Sequence, residues 1–102
     1  MSPQEKNNVN LSIQMIPINT SKAYEGVDAA IAVIQQSGYK YEVQPFSTII
    51  EGPFEGLLAL IERVKAAAYE VEDINELIIN LQFHMKKNED VSFEEKTDKF
   101  KH

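Results

Sequence analysis

The 102-residue chain contains no cysteine, which excludes disulfides, thiolate nucleophiles and zinc sites built on sulfur. Histidine is scarce: of the two present, His102 is the final residue, and no histidine and carboxylate stand at the spacing that holds a metal on a helix. His84 therefore reads as an exposed or hydrogen-bonded bystander. The four glycines form no phosphate-cradling loop. No serine has a base nominated beside it. Long apolar runs are missing too, since nothing approaches the roughly 18 residues that cross a bilayer. The first ten residues lack the basic patch and apolar run of a secretory signal. Basic residues are in deficit, 10 against 16 acids for a net charge of −6; that balance repels phosphate backbones and otherwise keeps the chain soluble. These absences lead us to expect a cytoplasmic, non-enzymatic protein with no metal, no catalytic cofactor, no nucleic-acid partner and no membrane partner.

Hydrophobic residues make up 43% and charged residues 25%, ordinary values for a globular domain. A chain of this length supports one domain with one modest core. Its organising stretch is residues 39–54. Tyr39, Tyr41 and Val43 alternate with Lys40, Glu42 and Gln44, the period of a half-buried strand. Pro45 stops the pairing, and residues 46–51, with β-branched Thr48, Ile49 and Ile50, return antiparallel as a hairpin. Gly52 and Pro53 close it, Pro53 being suited to the first position of a helix. Glu51 is left at the junction, where a helix N-terminus favours a carboxylate.

Around this hairpin the remaining elements follow in order. Residues 9–15 alternate apolar and polar and end at Pro17. Ser21 offers an N-cap for a helix starting near Lys22, along which Tyr24, Val27, Ala30, Ile31 and Ile34 share one face. Ser37 and Gly38 end it. A second helix runs over residues 53–69 with Leu57, Leu60, Ile61, Val64, Ala67 and Ala68 as its stripe. The acidic residues 70–75 form a connection, since acids at a helix C-terminus oppose its dipole. Residues 77–85 alternate again as the last strand.

The order βαββαβ predicts an α+β, ferredoxin-like sandwich, an antiparallel four-stranded sheet with both helices on one face. Residues 1–8 are expected to be disordered and residues 9–88 to form the ligand-binding domain. Residues 89–102 read as a charged tail with room for a short extra strand around 91–95. The uncovered sheet face carries Ser12, Gln14, Asn80, Gln82 and His84, with Ile16 and Ile78. It is open to solvent, to a ligand or to a second sheet. An RNA-recognition role fits poorly, because that topology calls for aromatics on the open strands and a basic surface. Tyr24, Tyr39, Tyr41, Phe46 and Phe54 either line a cavity or belong to the core.

Several of these residues also carry a resemblance. Ile16 and Pro17 at a strand end, Ser21 and Tyr24 at a helix start, Ser37, Gly38, Tyr41, and then Pro45, Thr48, Glu51, Gly52 and Phe54 in sequence are similar to the YkoF-like thiamine-binding protein family, over roughly residues 9–87. The chain departs from the family pattern at Lys65, where members often carry histidine, and over residues 86–90, where members carry a basic, arginine-containing segment. The resemblance implies reversible, non-enzymatic binding of thiamine or a hydroxymethylpyrimidine-like ligand near a subunit interface of a homodimer or homotetramer. Thiamine would be the cargo rather than a cofactor. Glu51, Thr48 and Gln14 are the first candidates for the aminopyrimidine edge; Ser21, Tyr41 and Asn80 come second. Thr48 and Glu51 fall on opposite faces of an ideal strand, so a shared ligand requires a bulge or a redirected strand end. The alternative is a regulatory or oligomerisation module that uses the open sheet face for protein–protein assembly.

Overall fold

A computed structural model describes residues 7–93. The elements are β1 (Asn8–Pro17), α1 (Ala23–Gln36), β2 (Lys40–Val43), β3 (Thr48–Pro53), α2 (Phe54–Tyr69) and β4 (Leu77–His84). All strand pairs are antiparallel, in the order β2-β3-β1-β4. The expected ferredoxin-like sandwich is present, with β1 and β3 central and both helices over one face. Among the described residues no helix is long and apolar enough to cross a membrane.

Strand alternation decides which side chains enter the core. Val9, Leu11 and Ile13 of β1 and Ile50 of β3 point at the helices and are buried. Ile34 of α1 and Leu57, Leu60 and Val64 of α2 complete that cluster. Phe54 at the start of α2 meets Phe83 of β4 edge to face, with ring centroids 5.0 Å apart, a favoured aromatic geometry. Tyr24, expected on the apolar face of α1, stands 86% exposed. The buried line of the helix is Gly26, Ala30 and Ile34, and Tyr24, two residues before Gly26, points about 160° away from it.

Ser21 is not the helix cap. The helix begins one residue later than that would need, with Lys22 in the N-cap position and no side-chain cap bond. Thr20 holds the loop that leads into the helix, its Oγ1 accepting the Lys22 N–H at 3.0 Å and donating to Asp73 Oδ2 at 3.1 Å. Asp73 also accepts the Ser21 N–H at 3.3 Å. The acidic connection thus ties down the approach to α1. Ile74, in the same connection, is buried against Gly26, where a Cβ would lie 2.5 Å from Ile74 Cδ1 and 3.2 Å from Pro17 Cγ. Gly38 ends α1 with φ +84°, the left-handed conformation glycine adopts without strain.

Past β4 the chain turns back, Lys86 bridging to Glu89 and Asn88 taking φ +61°. Residues 90–93 then cross the face opposite the helices as a strap. It runs over one row of register partners, His84, Asn10, Glu51 and Lys40. Asp90 Oδ1 accepts the Asn8 N–H at 2.7 Å, and the Val91 N–H donates to the Asn8 carbonyl at 2.9 Å. Asn10 Nδ2 donates to the Val91 carbonyl at 3.0 Å, and Glu51 Oε1 accepts the Phe93 N–H at 3.1 Å. Lys40 Nζ sits 5.1 Å above the Phe93 ring. Val91 and Phe93 are 1% and 4% exposed, so residues 90–93 add to the folded body. Asn8, expected to be frayed, opens β1; residues 1–6 and 94–102, the rest of the expected disordered start and charged tail, lie outside the described residues.

Candidate functional site

The two neighbours of β1 do not extend equally far. Pairing with β3 stops at Ile13 and Thr48, whereas pairing with β4 continues to Pro17 and Leu77. From Gln14 to Pro17 the β3 side of the strand is therefore without a strand partner among the described residues. Residues 44–47, the tip of the β2–β3 hairpin, curl beside this notch, held by the Gln44 N–H donating to the Ser47 carbonyl at 2.8 Å.

A cavity of about 250 Å³ opens at the notch, between the hairpin tip, β1 and α1. Val27, Ala30, Ile31 and Ile34 form its helical wall, Met15 and Ile16 lie along its strand side, and Gln14, Gln44, Ser47 and Thr48 supply its polar groups. Phe46 stands at its mouth, 82% exposed. An apolar enclosure with a few convergent polar groups is the usual form of a small-ligand site.

Two of those residues carry amides bonded on the open sheet face. Gln14 Oε1 accepts from Asn80 Nδ2 at 3.1 Å, which leaves the Gln14 amide nitrogen to donate. Gln44 Nε2 donates to Glu42 Oε2 at 3.0 Å, which leaves the Gln44 carbonyl to accept. Thr48, whose hydroxyl does either, is 6% exposed.

The residues named from the sequence are brought together in part. Thr48 and Gln14 both border the cavity, but the Gln14 side chain lies with Asn80 on the open sheet face, opposite Thr48. Glu51 does not join them: it pairs with Asn10 on the other sheet face, three residues from Thr48, or roughly 10 Å along the strand. No bulge redirects it, and its carboxylate holds the strap at Phe93. Tyr41 lies on the helix side of the edge strand opposite Ile50, and Ser21 lies in the loop before α1; neither lines the cavity. Gln44 and Ser47 were not foreseen as site residues. Pro45, which breaks the strand between them, was the available signal. Lys65 sits beside the lining residue Val64 but pairs with Glu62 at 2.9 Å; this hydrogen bond and charge raise the lysine's pKa. Among the described residues no group of three His, Asp or Glu stands close enough to hold a metal ion.

These features define a ferredoxin-like α+β domain with an uncharged, small-molecule-sized cavity at a strand-edge notch. The sequence profile described as Thiamine-binding protein matches residues 11–101, and the chain belongs to that family. A UPF0045 protein of Clostridium perfringens is 32% identical over 93 residues, covering 90% of this chain and 96% of its own. The structure of a domain of unknown function from Bacillus cereus superposes with a TM-score of 0.87 at 32% identity, covering 98% of this chain and 96% of that one. A crystal structure described as a putative thiamine biosynthesis/salvage protein from Thermotoga maritima gives 0.82 at 27% identity, over 92% of this chain and 99% of that one.

Proposed function

We propose that this protein binds thiamine, or its hydroxymethylpyrimidine portion, reversibly and without chemistry, in the cavity at the notch. The observation that carries the reading is a cavity of small-molecule size at the notch, walled by α1 and bordered by the buried Thr48. An aminopyrimidine edge presents a ring-nitrogen acceptor and an exocyclic amine donor, and a threonine hydroxyl can meet either. The apolar wall from α1 suits the ring faces, and Phe46 at the mouth offers an aromatic face to a cationic thiazolium. Family membership and the name of the Thermotoga neighbour support the same ligand class.

The test is calorimetric titration of thiamine into the wild type and Thr48→Val, the variant first checked for folding by circular dichroism. Loss of one neutral hydrogen bond contributes about 0.5–1.5 kcal/mol, so the variant binds about 2- to 12-fold more weakly. Absence of heat with the wild type up to millimolar thiamine, repeated at a second temperature, rejects the reading.

A second reading concerns assembly, and one observation favours it. Beyond the strap, the open face ends in Ile16 and Ile78, register partners that are 36% and 45% exposed. We propose that this end meets the sheet of a second copy in a homodimer or a homotetramer. Ile78→Glu should then lower the mass measured by light scattering to that of one chain; an unchanged mass removes this surface from the interface.

A further inference from the structure

The cavity contains a second kind of information, in the residues that do not reach it. Six bases lie among the described residues, Lys22, Lys40, Arg63, Lys65, Lys86 and Lys87, and none of them lines the cavity. Helix N-termini, the other common anion receptors, are also turned elsewhere. The lining from α1 starts at Val27, beyond its first turn, and α2 contributes only Val64 from its middle. The ionised group nearest the polar end is the Glu42 carboxylate that orients Gln44, and it has the sign of a phosphate. A protein of net charge −6 adds long-range repulsion.

Resting on the cavity assigned above, we infer that the site selects the unphosphorylated ligand and excludes its phosphate and pyrophosphate esters. A phosphate drawn into this enclosure loses water and meets no cation from the described residues, a costly way to bury a charge. A thiazolium at the mouth meets Phe46 and the field of Glu42, both favourable to a cation. The site therefore suits a molecule that arrives from, or is delivered to, reactions that act on the free alcohol: a phosphatase upstream or a kinase downstream.

Titration of four probes decides the matter: thiamine, thiamine monophosphate, thiamine pyrophosphate and hydroxymethylpyrimidine. Thiamine and hydroxymethylpyrimidine should bind, with the pyrophosphate about 100-fold weaker than thiamine and a gap that narrows with added salt. Ser47→Arg places a cation at the rim and should narrow the gap between thiamine and the pyrophosphate about tenfold, whatever it does to thiamine itself. If thiamine binds and the pyrophosphate binds within threefold of it, the inference fails and the thiamine-binding reading stands. No heat from any of the four overturns both.

Discussion

Phe93→Ala removes the buried ring that seats the strap, and its cost can be worked from the contacts around it. The ring is 4% exposed, lies under Lys40 Nζ, and follows an N–H bound to Glu51. Burial of a phenylalanine side chain contributes about 1.5–3 kcal/mol, and a cavity in a rigid core raises the cost of truncation to about 3–5 kcal/mol. A strap is not a rigid core. Once loosened it can lift away, and water then reaches Asn10 and Glu51, so neither is left buried and unpaired. The expected loss is therefore about 2–3 kcal/mol, towards the lower range. With a urea slope of about 1–3 kcal/mol per molar for a small domain, the midpoint should fall by about 0.7–3 M. Phe46→Ala is the matched control. That ring is 82% exposed, and its removal should stay within about 0.5 kcal/mol. Equal midpoints for Phe93→Ala and Phe46→Ala, measured by both fluorescence and circular dichroism, would refute the seating of residues 90–93 on the sheet.

Two further outcomes follow from the same geometry. Glu51→Ala removes the acceptor of the Phe93 N–H and should speed hydrogen exchange at that amide by about tenfold, an opening of local rather than global kind; Glu51→Gln, which keeps an acceptor, should change it much less. Thiamine heat should survive in both variants, and its collapse with strap exchange unaltered would return Glu51 to the ligand site. Gly26→Ala gains about 1 kcal/mol of helix propensity but forces a methyl against Ile74 Cδ1 and Pro17 Cγ, an overpacking cost of about 1–3 kcal/mol. A lowered thermal midpoint, partly restored by adding Ile74→Val, is expected; a double variant no better than the single would contradict the packing argument.

The frame of the fold was legible because it follows from local periodicity. Val9, Leu11 and Ile13 alternate, Leu57, Leu60 and Val64 recur at helical spacing, and Gly38 punctuates. Apolar periodicity passes over small residues, which is why it puts Tyr24 on the inner face of α1 when the buried line runs through Gly26 and Ala30. The strap was legible only in part: Val91 and Phe93 marked room for a short extra strand, but residues 91–93 form none, and their partners at Asn8, Asn10, Glu51 and Lys40 lie far away in sequence. The notch was hidden as well. It exists because β1 pairs further along β4 than along β3, and strand register depends on which residues meet, a long-range property that alternation alone does not state. Gln14 and Thr48 were named as ligand candidates from a family resemblance. Gln44, their neighbour across the cavity, required the hairpin to be closed.

The central position of β1 also governs the order in which the sheet can be assembled. It is made first, yet its two neighbours are β3, which begins at Thr48, and β4, which ends at His84. A ribosome releasing the chain from its N-terminus therefore exposes an apolar central strand well before either edge can be satisfied. The β2–β3 hairpin and both helices are local and can form in that interval, whereas pairing of β1 with β4 waits for nearly the whole described chain. The finished sheet protects Val9, Leu11 and Ile13; the nascent chain does not, so aggregation during synthesis is concentrated in the time between residue 17 and residue 84.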